Sequence, residues 1–141
     1  MSTTYSGAAL EAISKSSFQI QPGIYVYAKV ASLESDGDHF LVTRDHDEIT
    51  VVTRMNNLVE LDLLERNKDD YRLIALNVSV PFYSVGFLAT ITDALAGKGM
   101  NVLIVSTYSK DYLLVRSDLI ETAERALLAL GFTDASEHKS L

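Results

Sequence analysis

Apolar and polar positions repeat every two residues in some stretches of this chain and every three to four in others, and the switches mark its elements. In "YRLIALNVSV", from Tyr71 to Val80, Ile74, Leu76, Val78 and Val80 face one way while Asn77 and Ser79 face the other. That alternation predicts a half-buried strand. After "PFY" the period changes. In "SVGFLATITDALAGKG" the positions Val85, Leu88, Ile91 and Leu95 make one helical stripe, with Asp93 off it. Ser84 suits the N-cap of this helix, and Gly97 or Gly99 suits its end. "MNVLIVSTY" and "DYLLVR" read as strands. Ser117 then caps "DLIETAERALLALG", with a stripe of Ile120, Ala123, Leu127 and Leu130. Asp118 and Glu121 complement the start of that helix, Glu121 and Arg125 stand i,i+4, and Gly131 stops it. Phe132 to Ala135 suits a last short strand, and "SEHKSL" a frayed tail.

The first half is less regular. Leu10 and Ile13, flanked by Ala9 and Ala12 and preceded by Ser6 as a cap, predict a short helix. Pro22-Gly23 punctuates, and Ile24 to Val30 is rich in β-branched and aromatic residues, as a strand should be. "ESDGDH" reads as a loop. "FLVT" and "EITVVTR" read as a hairpin joined across "RDHDE". From Met55 to Asp70 the pattern is weak, which predicts an irregular connection with room for a short helical or strand piece.

The second half therefore runs strand, helix, strand, strand, helix, with a possible closing strand. That is the ferredoxin-like split βαβ order, an α+β fold. The crossover rule puts both helices on one face of an antiparallel sheet. The first half reads as a degenerate copy by element order alone. The polar run "NKDD" places the boundary near residue 70, giving a degenerate half over 1–70 and a βαββαβ module over 71–141.

Composition narrows the function classes. A chain of 141 residues is long enough for one real core. The net charge of −7, with twelve scattered basic residues, argues against nucleic acid. Cysteine is absent, which excludes disulfides and thiolate metal sites. The N-terminal stretch has neither a basic start nor a long apolar run, so neither a signal peptide nor a membrane anchor is expected, and the cytoplasm is the expected location. No P-loop, dinucleotide turn or nucleophile–base order appears, so no cofactor and no catalysis is expected. His46 sits among acids in "RDHDE", but without ligand spacing it reads as a solvated loop, and no metal is expected. Asn77-Val78-Ser79 has the form of a glycosylation site but lies inside a strand. Tyr25, Tyr27, Tyr71 and Tyr83 read as core or interface aromatics.

Two short stretches remain as candidate chemistry. "PFYSVGF" joins a strand end to a helix start, where unpaired N–H groups and partial positive charge accept a carboxylate. Gly86 there lets a ligand approach the backbone; the plain alternative is that Ser84 only caps its helix and Gly86 only lets it pack. "YSKD" is a hairpin break without glycine, proline or asparagine, and it ends in Asp111. Asp111 is either a turn residue bonding its own backbone or a carboxylate facing an ammonium group. The two stretches need not lie at the same end of one sheet, so a meeting of modules or subunits is the expected way to join them.

The string from Tyr83 to Phe132, "YSVGFLATITDALAGKGMNVLIVSTYSKDYLLVRSDLIETAERALLALGF", strongly resembles the ACT domain, in particular the ACT-like modules of small bacterial proteins. The resemblance covers roughly residues 71 to 132. It implies a βαββαβ fold, pairing of modules, and binding of small molecules, usually amino acids, at module interfaces. It places the ligand loop on Tyr83, Ser84, Val85, Gly86 and Phe87, and a second wall on Ser106, Thr107 and Asp111. Lys110 stands where the family often has threonine or histidine. The first expectation is thus a non-catalytic sensing module that binds an amino acid and forms a homodimer or higher homo-oligomer. The alternative is a structural or protein-interaction domain that keeps the fold without the ligand.

Overall fold

The computed structural model describes residues 5–34, 37–78 and 86–136. Along the chain come α1 (Gly7–Ser14), β1 (Ser17–Ile20), β2 (Tyr25–Val30), β3 (Leu41–Arg44), β4 (Ile49–Arg54), a 3-10 helix (Met55–Glu60) and β5 (Leu63–Arg66). Then follow β6 (Tyr71–Asn77), α2 (Phe87–Ala96), β7 (Leu103–Ser106), β8 (Asp111–Arg116), a 3-10 turn (Ser117–Leu119), α3 (Ile120–Leu130) and β9 (Thr133–Asp134). The strands form one mostly antiparallel sheet made of two leaves.

The second leaf is the expected ferredoxin-like module. β6 is its centre; β8 pairs with it antiparallel, and β7 pairs with β8. α2 and α3 cover one face, where Ile74, Leu76, Leu113 and Val115 meet Ile91, Leu95, Ala123 and Leu127. The stripe on α2 is rotated from the expected one. Phe87 and Thr90 are buried beside Ile91 and Leu95, and Leu88 is only half-buried. The reason is that α2 also packs α1, so its buried arc is wider than the sheet alone requires. Its N-cap is Gly86, not Ser84. α3 begins at Ile120 after the 3-10 turn, not directly from a Ser117 cap. Arg125 reaches Thr122 Oγ1 at 3.4 Å, and no ion pair joins it to Glu121 among the described residues.

A strand from the N-terminal segment completes this leaf. Ser6 caps α1, its Oγ accepting the Ala9 N–H at 3.1 Å. α1 leads into β1, which pairs antiparallel with β6, Ser17 facing Asn77 and Ile20 facing Ile74. β9 then adds to β1 in parallel rather than to β6. Phe18 is fully buried and meets Phe132 edge-on at 6.3 Å, and Phe132 meets Phe87 at 6.1 Å.

The first leaf has the strand order β5-β2-β4-β3. Its order matches that of a βαββαβ sheet whose helices are missing. The connection after β2 carries no helix among its described residues, and a 3-10 helix stands where the second would be. Leu33, Leu58 and Leu61 cover Ala28, Val30 and Val51 in their place. In the "RDHDE" loop the Asp45 carboxylate accepts the N–H groups of Asp47 and Glu48, and His46 stays exposed.

The two leaves join where Tyr25 of β2 pairs with Tyr71 of β6. There the sheet folds over. In a flat sheet β3 and β8 would lie four strand spacings apart, about 19 Å. Instead the Phe40 ring, just before β3, lies 4.9 Å from the Tyr112 ring of β8. Tyr25, Val52, Leu73 and Leu114 fill the space between the leaves. β6 is therefore buried on both faces, not half-buried: Leu73 and Ala75 face the other leaf while Ile74 and Leu76 face the helices. Tyr25, Tyr27 and Tyr71 belong to this interleaf layer. Tyr83 lies outside the described residues.

Candidate functional site

The hairpin between β7 and β8 turns without glycine because a threonine side chain closes it. Thr107 N–H donates to the Lys110 carbonyl at 2.8 Å. Lys110 N–H donates to Thr107 Oγ1 at 3.2 Å, and that hydroxyl donates to the Lys110 carbonyl at 3.1 Å. A hydroxyl taking a local backbone N–H is a recognised turn device. Asp111 is therefore not needed to make the turn. It is the first residue of β8 and stands opposite Ser106, whose Oγ donates to Asp111 Oδ1 at 2.6 Å.

Strand alternation fixes where Asp111 looks. Leu113 and Val115 lie under the helices, and Asp111, two residues before Leu113, shares that face. In the register of β6 and β8 it is opposite Leu76, one residue before β6 ends. The chain leaves β6 at that end and re-enters as α2. Asp111, Ser106, Thr107 and the start of α2 therefore share one end of the second leaf. The loop residues 81–85 themselves lie outside the described residues. The antiparallel pairing of β6 with β8 puts the end of one beside the start of the other.

At the start of α2, Gly86 adopts the left-handed conformation at φ 87 and offers no side-chain cap. Its carbonyl accepts the Thr90 N–H at 2.9 Å, the first turn of the helix. Among the described residues, a Cβ there would meet only Ser6 Oγ, at 3.7 Å. Phe87 is buried in the core instead of facing out. Tyr83, Ser84 and Val85 lie outside the described residues.

The same end of the leaf carries an open polar cleft of about 450 Å³. It is lined by residues 14–17 at the α1–β1 junction, residues 77–78 at the end of β6, the turn residues 109–110, and Thr133. No sequence motif marks this feature. Its one visible signal was the run "SKSS" from Ser14 to Ser17, a polar break between an apolar helix and an apolar strand. Two further clefts lie on the first leaf. One, of about 440 Å³, includes Glu34, Glu60 and Asp62; the other, about 470 Å³, includes Lys29, Glu48, Glu65 and Arg66. Among the described residues no cluster of histidines and carboxylates is arranged to hold a metal ion, and no helix is long and apolar enough to cross a membrane.

Comparison with known proteins agrees with this architecture. Residues 67–129 match the family profile of the ACT domain. A Vibrio cholerae protein of unknown function, described as a possible transport protein, superposes with a TM-score of 0.75 at 23% identity, over 87% of this chain and 94% of that one. An Agrobacterium tumefaciens protein superposes with a TM-score of 0.69, also at 23% identity, over 90% and 97%. The ligand-free regulatory subunit of aspartate kinase from Thermus thermophilus superposes with a TM-score of 0.57 at 10% identity, over 80% and 95%. At these identities the likeness is one of fold. No curated protein matches the sequence.

Proposed function

From the premise that residues 67–129 form an ACT domain, we propose that this protein is a non-catalytic regulatory module, cytoplasmic and homodimeric, that binds an amino acid or similar small metabolite. The site is the end of the second leaf where α2 begins. One observation carries the reading: the strand register brings Asp111 to the end and face of the sheet where Gly86 opens α2. A zwitterion needs both partners at once. Backbone N–H groups around Val85 and Gly86 take its carboxylate, and the Asp111 carboxylate takes its ammonium. Ser106 and Thr107 flank the second group, while Tyr83 and Ser84 lie outside the described residues and Phe87 supports the helix start from the core. The regulatory subunits of aspartate kinase among the structural neighbours support a regulatory role.

The division at residue 70 belongs to the same proposal. The strand order of the first leaf supports a degenerate ACT-like half over 1–70, while α1 and β1 lend themselves to the module that follows. A second reading rests on the Ser106–Asp111 bond at 2.6 Å, which already occupies one carboxylate oxygen within the hairpin. In that reading the chain is a structural or protein-interaction domain without a ligand.

A thermal-shift series over the twenty amino acids separates the two. A ligand at about a hundred times its Kd adds roughly 2.7 kcal/mol, which raises Tm by several degrees for a chain of this size. Asp111→Asn is expected to abolish that rise while changing the melting of the free protein by about 0.5 kcal/mol or less. A ligand response that survives in Asp111→Asn removes the site assignment. A flat response in the wild type favours the interaction domain.

A further inference from the structure

We propose that the cleft between the α1–β1 junction and the β7–β8 turn binds the oxyanion of a small organic acid or phosphate ester. The argument starts from charge. The chain carries a net charge of −7, yet among the described residues that line this cleft are two lysines, Lys15 and Lys110, and no carboxylate. The two clefts on the first leaf show the contrast, one having three carboxylates among its walls and the other a balance of Lys29 and Arg66 with Glu48 and Glu65. A local reversal of sign against the whole-molecule field, in a concave place, concentrates anions.

The donors fit the same ligand. The hydroxyls of Ser17, Ser109 and Thr133 and the Asn77 amide line the cleft, and no hydrogen bond holds these side chains within the described residues. They come from four segments, the start of β1, the turn, β9 and the end of β6, so they converge on a bound group instead of following one another along a strand. Oxygen atoms of a carboxylate or phosphate accept several hydrogen bonds, and those from an ammonium are about twice as strong as neutral ones. Lys15 already bonds Glu11 at 3.2 Å, so Lys110 is the principal cation and Lys15 a shared one.

Among the described residues, the nearby carboxylates are otherwise engaged. Glu11 is held by Lys15, Asp111 accepts from Ser106, and Asp134 accepts the Ser136 N–H at 2.8 Å. Two of the closing carbonyls of α1 are likewise satisfied, since Ala12 and Ile13 accept the N–H groups of Lys15 and Ser16. No residue of the cleft belongs to the proposed amino-acid site, so the inference does not depend on that reading.

The test is an amide chemical-shift titration of the full chain. One arm uses inorganic phosphate, a second succinate, and a third sodium chloride at matched ionic strength. Saturable shifts at Ser17, Asn77, Ser109, Lys110 and Thr133 are expected with phosphate, succinate or both, and the stronger arm names the source of the oxyanion. Lys110→Gln is expected to weaken binding about tenfold and Lys110→Arg to retain it. Shifts no larger than those with chloride overturn the inference. So does an apparent Kd untouched by Lys110→Gln in a protein whose spectrum shows it folded.

Discussion

Gly86 and Gly7 both stand at the start of helices, and they separate backbone conformation from space. Gly86 is held at φ +87 with room for a Cβ, whereas Gly7 lies in ordinary helical backbone with nothing within 4 Å. Gly86→Ala is therefore expected to cost about 1–2 kcal/mol, through the left-handed conformation alone. Gly7→Ala is expected to leave stability unchanged or raise it by up to about 1 kcal/mol, by restricting the unfolded chain. Urea denaturation of the two variants measures both. Equal effects would mean that the conformation at Gly86 is not strained for alanine. A second prediction at this scale concerns Tyr27 and Tyr71, whose rings lie 5.7 Å apart between the leaves. Burial first, and then the neighbouring Tyr71, raise the Tyr27 phenol above its ordinary 10.0; burial, and then Asp69, raise Tyr71. The folded chain thus keeps protons that the unfolded chain releases. The stability this supplies is complete below pH 10 and is lost as pH rises through the folded pKa values. Tyr27→Phe should flatten the fall of stability above pH 10, as read by denaturation at stepped pH. An identical slope in the variant would remove Tyr27 as a cause.

The elements show which parts of the chain were legible before folding. α2, α3 and the strands β6 to β8 were readable because each has one dominant apolar period and a glycine or serine near its ends. β1 was not. "SFQI" is only four residues long, and its neighbours come from far along the chain, β6 on one side and β9 on the other. No local pattern encodes that pairing. The same holds for the second buried face of β6, since Leu73 and Ala75 look like ordinary strand residues until the other leaf covers them. Within the site, the turn and the helix start were legible as chemistry. Their shared end was not, because it depends on register. The importance of β1 can be tested directly. A fragment of residues 71–141 contains the whole of 71–129 within the family match, yet it lacks Phe18, Ile13 and β1, which pairs with β6 on the side away from β8. It is expected to show no cooperative thermal transition, because it leaves apolar core and a sheet edge uncovered. A sharp transition from the fragment alone would show that the N-terminal segment is dispensable for folding.

For the whole molecule, the proposed dimer is the quantity most readily measured. The exposed residues Met55, Val59, Leu63 and Leu64 follow one another along the 3-10 helix and the edge strand β5, and β7 is a second open edge with Ile104 exposed on it. Closed two-fold pairing is the commonest way such surfaces are covered. Light scattering is expected to give twice the chain mass of 15.5 kDa. A mass of one chain at high micromolar concentration would count against it. The place of β1 has a further consequence, for how the chain is made. The ribosome releases β1 early, but its pairs with β6 span 54 to 60 residues and its pair with β9 begins 116 residues later. At about 5–20 residues per second, β1 waits roughly 3 to 11 seconds for β6 to be synthesised. During that interval Phe18 and the apolar side of α1 have no surface to bury against. Until its second half emerges, the nascent chain lacks the native partners of that face.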